Sequence, residues 1–112
     1  MPIDLRSQYG YILARMRHRI TFSAEAKEDY DGLPAGIRAA VRDAINRHLQ
    51  HQPTATSKSR IKRLRELQHP QYRLRVDEVR VFYDVVADEV KIIGIVEKRW
   101  TFDWLRQKGV PS

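Results

Sequence analysis

The chain has 112 residues, 42% of them hydrophobic, which gives room for one small domain with its own core and excludes a disordered tail. Lys and Arg total 21 against 14 Asp and Glu, and the net charge of +7 suits a polyanionic partner: nucleic acid, an anionic membrane or an acidic protein. The absence of cysteine excludes a disulfide scaffold, a cysteine nucleophile and a thiolate zinc site.

Residues 1–18 read as an N-terminal extension. Tyr9, Ile12, Leu13 and Met16 recur at helical spacing, and Met16 is an alternative start of translation. No apolar stretch with a small-residue cleavage site marks a secretory signal. Uncharged runs fall far short of the roughly 18 residues of a membrane span. A cytoplasmic protein without a membrane partner is expected. Residues 19–112 form the domain. Arg19-Ile20-Thr21-Phe22 predicts a strand, and Ser23 an N-cap for a helix whose Glu25, Glu28 and Asp29 complement its positive end. Gly32 ends that helix. Pro34 fits the first turn of the next, where Ile37, Val41, Ala44, Ile45, His48 and Leu49 share one face. His51-Gln52-Pro53 stops it, and a polar loop runs to Ser59. Strands are predicted over Ile61–Leu67, Gln71–Val76, Val79–Val86 and Val90–Glu97, and a helix over Thr101–Lys108 closed by Gly109. Helices first and consecutive strands later argue an α+β fold, the two helices packed on one face of a mostly antiparallel sheet.

The charge is uneven. Residues 57–75 hold Lys58, Arg60, Lys62, Arg63, Arg65, Arg73 and Arg75 against Glu66 alone, a surplus of +6. With Asp77-Glu78 as a two-residue turn, Val76 faces Val79, Arg75 faces Arg80, Leu74 faces Val81, Arg73 faces Phe82 and Tyr72 faces Tyr83. Because side chains alternate along a strand, Tyr72, Leu74, Val76, Val79, Val81 and Tyr83 form the core face. Arg73, Arg75, Arg80 and Phe82 form the other. Like charges directly opposite destabilise a strand pair. Three arginines on one face therefore suggest a guanidinium cluster aimed at phosphate, which the planar fork binds bidentately.

The strand ending Ile20-Thr21-Phe22-Ser23, the helices joined through Leu33-Pro34, Lys62-Arg63-Leu64, Tyr72-Arg73-Leu74-Arg75, Val79-Arg80-Val81-Phe82-Tyr83 and Glu97-Lys98-Arg99 occur in that order. In these pieces, from about Arg17 to Gly109, the chain resembles the RelE/ParE superfamily of bacterial type II toxins. The resemblance implies two N-terminal helices on a four- to five-stranded sheet with a short C-terminal helix. It implies an endoribonuclease that inhibits translation by ribosome-dependent mRNA cleavage, without metal or cofactor, with Arg73, Arg75, Arg80 and Arg99 as catalytic residues. Its partners are then the ribosome, mRNA and a cognate antitoxin laid over the basic sheet or the helical face, an arrangement open to a toxin–antitoxin heterotetramer. Lys58, Arg60, Lys62, Arg63 and Arg65 are assigned to RNA binding. The family's tyrosine beyond the last arginine is absent, and Trp104 is assigned its stacking role. Glu66 stands where the family has glycine. Two alternatives stay open: a ParE-like toxin acting on DNA gyrase, and a non-cleaving RNA- or ribosome-binding protein.

No general base stands out. Arginine is effectively always protonated, Tyr72 and Tyr83 belong to the core face, and Asp77 and Asp84 are weak candidates. His48 and His51 are three residues apart at a helix end with no third metal ligand indicated, and His69 falls in a loop. Trp100 and Trp104 have the spacing of a helix anchor.

Overall fold

The computed structural model describes residues 17–112. The helix considered within 1–18 lies outside the described residues. Ten elements and a short 3-10 turn follow: β1 (Arg19–Phe22), α1 (Ala24–Asp31), α2 (Ala35–Leu49), β2 (Ile61–Arg63), β3 (Leu67–His69), β4 (Tyr72–Val76), β5 (Val79–Val86), β6 (Glu89–Glu97), the 3-10 turn Lys98–Trp100, α3 (Thr101–Lys108) and β7 (Val110–Pro111).

Ser23 caps α1 as its residue type demands, its hydroxyl accepting the Ala26 amide at 3.0 Å. Pro34 is the N-cap of α2 and not a first-turn residue. The apolar stripe of α2 buries Val41, Ile45 and Leu49, whereas Ile37 is 41% exposed. That stripe packs on Leu74, Val76, Val81 and Tyr83 from the sheet, with Ala26 from α1 and Val90 and Ile92 from β6 completing the core.

The main sheet has the order β1-β6-β5-β4-β2. β1 runs parallel to β6 and every other pair is antiparallel. Each pairing expected across the β4–β5 hairpin is present, from Val76 opposite Val79 to Tyr72 opposite Tyr83. Asp77 adopts φ 50° to make the turn. Two features were hidden from periodicity. First, the strand expected over Ile61–Leu67 is two strands. The chain turns after Arg63, where the Leu64 amide donates to Gln71 O (2.8 Å), and leaves the main sheet so that β3 pairs with β7. Second, a bulge interrupts the β5–β6 ladder between Phe82 and Tyr83, since Gly94 faces Phe82 but Ile92 faces Tyr83. Ile93 is thus the extra residue, and the Ser23 hydroxyl donates to its carbonyl at 3.2 Å. Beyond β1, the Asp29 carboxylate of α1 accepts the Ile95 amide at 3.1 Å, on the stretch of β6 that β1 does not pair.

The sheet is covered on both faces. Phe82 is 1% exposed yet lies outside the core beneath α2. It stacks on Trp104 of α3, ring centroids 4.7 Å apart. Gly94 is required there, because a Cβ would stand 2.3 Å from Trp104 Cζ2. No helix among the described residues is long and apolar enough to cross a membrane.

Candidate nucleic-acid interface

The face of the sheet turned from α2 carries the basic residues of the hairpin. Arg75 stands opposite Arg80, and Arg73 stands between Lys62 on β2 and Phe82 on β5. Neither Arg73, Arg75 nor Arg80 forms an ion pair with a described residue. Arg75 is exposed and Arg73 half-buried. The Arg73 Nε is buried with no hydrogen-bond partner among the described residues. Burial first, then the charges of Arg80 and Arg75, push the Arg73 guanidinium below its ordinary value. Arg80 is only 6% exposed, and its Nη1 donates to Asp77 O (2.8 Å) and Val79 O (3.1 Å). Its guanidinium is also depressed, by burial and then by Arg75, while Glu78 acts in the opposite direction. Arg80 therefore holds the turn and places a charge opposite Arg75, and has little surface for a direct phosphate fork.

Arg99 lies at the turn end of the hairpin, where the amide of the preceding Lys98 donates to Glu78 O at 2.7 Å. Its Nε donates to Glu97 at 2.9 Å and its guanidinium lies over Trp100, 5.4 Å from the ring centroid. It borders a groove with Leu33, Pro34, Ile37 and Val79 at the α1–α2 connection. The segment assigned to RNA binding also divides. Lys62 shares the row of Arg73, while Lys58 and Arg65 are exposed in loops. Arg60 lines a cleft with Arg47 and His48 of α2. Burial, then Arg60, then Arg47 push the His48 imidazole below its ordinary value. Arg63 is a packing residue: it donates to Gln71 O at 2.7 Å and lies 5.2 Å from the Tyr72 ring centroid. Trp104 is the anchor of α3, half-buried and stacked on Phe82. The freely exposed aromatics nearby are Trp100 (52%) and Phe102 (71%).

One constellation has no signal in the sequence. His69 Nδ1 and Asp84 Oδ2 are 2.6 Å apart. Asp84 is 6% exposed, and its other oxygen accepts the Gln71 amide at 2.7 Å. Gln71 Oε1 in turn accepts the Val85 amide at 3.0 Å. The partners are separated by 15 residues with no characteristic spacing, and only the departure of β3 from the main sheet brings His69 over the C-terminal part of β5. Tyr72 and Tyr83 are stacked in the core, the Tyr83 hydroxyl donates to Pro53 O, and burial pushes it well above the usual tyrosine range. Among the described residues, no three His, Asp or Glu side chains are grouped to hold a metal ion.

No protein-family model and no curated protein matches the sequence. Solved structures do. The toxin–antitoxin complex RelBE2 from Mycobacterium tuberculosis matches at TM-score 0.62 and 23% identity, covering 73% of this chain and 99% of that one. The toxin RelE of E. coli, as a double arginine-to-alanine mutant in the free state, matches at TM-score 0.62 and 16% identity over 80% of this chain and 92% of that one. The RelB–RelE antitoxin–toxin complex from Methanococcus jannaschii matches at TM-score 0.60 and 21% identity over 75% and 96%. With helices α1 and α2 on one face of a mostly antiparallel five-stranded sheet and α3 on the other, the chain has the fold of the RelE toxins.

Proposed function

We propose that the chain is the toxin of a type II toxin–antitoxin pair, an endoribonuclease that inhibits translation in the cytoplasm by ribosome-dependent, metal-independent cleavage of mRNA. The observation that carries this reading is the Arg73, Arg75 and Arg80 cluster, which forms no ion pair among the described residues, with the buried Arg73 Nε lacking a partner among them. Retaining three like charges on adjacent strands costs stability. A phosphate supplies the missing counter-charge, and preorganised charge at a reacting phosphate often lowers the barrier more than any other single effect.

In this scheme the 2′-oxygen of one nucleotide bonds to the adjacent phosphorus and the P–O5′ bond breaks. A 2′,3′-cyclic phosphate and a 5′-hydroxyl result. Arg73 and Arg75 stabilise the charge that develops on the phosphoryl oxygens, Arg80 supports them from the facing strand, and the ribosome holds the RNA in line. Lys58, Lys62 and Arg65 bind flanking phosphates. Trp100 and Phe102, exposed beside Arg99 and Arg106, offer stacking surfaces in place of Trp104. The M. tuberculosis and M. jannaschii neighbours are toxin–antitoxin complexes, which supports a cognate antitoxin here, with an acidic segment covering the basic face.

Brief induction without a partner tests the reading. Growth and protein synthesis stop, and primer extension on mRNA finds new 5′ ends within reading frames. Normal growth with abundant soluble protein overturns the toxin assignment. Arrest of DNA synthesis while translation continues replaces it with gyrase inhibition. Arrested translation on intact mRNA replaces it with a non-cleaving ribosome binder.

A further inference from the structure

Arg73, Arg75 and Arg80 supply charge but accept no proton, and the His69–Asp84 pair lies at the end of their face. Along β5, Arg80, Phe82 and Asp84 alternate with the core residues Val81 and Tyr83 and so project to one side. Tyr72 pairs with Tyr83 and Arg73 with Phe82, so Asp84 is the diagonal neighbour of Arg73, on the order of 7–8 Å away. His69 covers Asp84 from above while 46% of its own side chain remains exposed.

We propose that His69, oriented by Asp84, is the general base that takes the 2′-hydroxyl proton in RNA cleavage; this role rests on the endoribonuclease reading. An ionised carboxylate only accepts hydrogen bonds, so the 2.6 Å contact puts the imidazole proton on Nδ1 and leaves the Nε2 lone pair open. Nε2 makes no hydrogen bond to a described residue. Asp84 is itself fixed by the Gln71 amide, and Gln71 by the Val85 amide, so the ring is held by a connected set of bonds to β4 and β5. A base held by an orienting acid is the recurring arrangement for activating a hydroxyl. Of the elements packed around His69, β5 brings Asp84, β4 brings Arg73 on the diagonal, and β7 brings Val110 and Pro111, which do not ionise. In the step, the 2′ proton moves to Nε2, the 2′-oxygen bonds to phosphorus, the P–O5′ bond breaks and the departing 5′ oxygen takes a proton from water.

The experiment is single-turnover cleavage of mRNA on programmed ribosomes at saturating full-length protein, across pH, beside a ribosome-binding titration. His69→Gln lowers the saturated rate about 10²-fold or more, the usual contribution of a positioned base. Binding stays within about twofold, and the acid limb of the wild-type pH–rate profile disappears. Asp84→Asn keeps the shape of the site and the acceptor for the Gln71 amide. It slows the saturated rate less than His69→Gln and displaces the acid limb, which a purely structural tether does not do. Wild-type cleavage with an unchanged saturated rate and pH profile in His69→Gln overturns the role of His69 alone. Failure of the wild type to cleave overturns the endoribonuclease reading, and the role of His69 with it.

Discussion

At the scale of single residues, the two arginines that face each other across the hairpin differ in kind. Arg75 is exposed and makes no ion pair with a described residue, while Arg80 is buried and donates to the Asp77 and Val79 carbonyls. Arg75→Gln removes a like charge without removing a hydrogen bond. Its expected effect in urea denaturation is no loss or a gain of about 0.2–1 kcal/mol, with RNA cleavage reduced tenfold or more. Arg80→Ala relieves the same repulsion but strips the turn of two bonds, and its expected cost is about 1–2 kcal/mol. Equal stabilities for the two variants contradict this distinction. His48 gives a pH dependence with a definite sign. Its folded value is lowered by burial, Arg60 and Arg47, so between that value and the ordinary one near 6.5 the unfolded chain binds more protons than the folded one. The contribution of His48 to stability is thus full above that window and is lost as pH falls through it. His48→Gln flattens this part of the curve when stability is measured by denaturant titration at a series of pH values.

At the scale of elements, α3 is held by one close approach. Trp104 stacks on Phe82 and occupies the space a Cβ at Gly94 would need, 2.3 Å from Cζ2. Gly94→Ala pushes Trp104 off the sheet and is expected to cost about 1–3 kcal/mol, as overpacking does. In a Trp104→Leu background the indole is gone and the same change costs less. The two changes are therefore coupled in a double-mutant cycle of thermal stabilities, and additive losses rule out the contact as the cause. The 3-10 turn Lys98–Trp100 ahead of α3 places the last of the expected arginine quartet. It seats Arg99 at the turn end of the hairpin, in a groove with Glu78 and Val79, with its guanidinium held by Glu97 and Trp100.

At the scale of the whole molecule, the basic segment separates into charges that face a polyanion and charges that hold the fold. Lys62 projects beside Arg73, whereas Arg63 is spent on Gln71 O and the Tyr72 ring. Lys62→Gln is expected to weaken ribosome binding and reduce the salt slope of the binding constant by about 1, since one phosphate contact and its released counterion are lost. Melting temperature stays unchanged. Arg63→Gln does the reverse, lowering thermal stability with a smaller change in salt slope. Titrations at several salt concentrations, paired with melting curves, separate the two behaviours.

Much of the fold was legible because it depends on local rules. Ser23 is an N-cap by residue type, α2 shows its stripe at helical period, and strict alternation in Tyr72–Val76 and Val79–Val86 fixed the hairpin register. A one-residue slip there would turn Tyr83 and Leu74 out of the core. The same alternation put Arg73, Arg75 and Arg80 on one face. What depends on distant backbone was not legible. Alternation says nothing about where a strand leaves a sheet, so the break after Arg63, the pairing of β3 with β7 and the Ile93 bulge emerge only in three dimensions. Charge counting treats every cation alike, and only burial and hydrogen bonding distinguish Arg63 and Arg80 from Arg75. The His69–Asp84 contact is the extreme case: two residues 15 apart, in different sheets, made neighbours by tertiary packing alone.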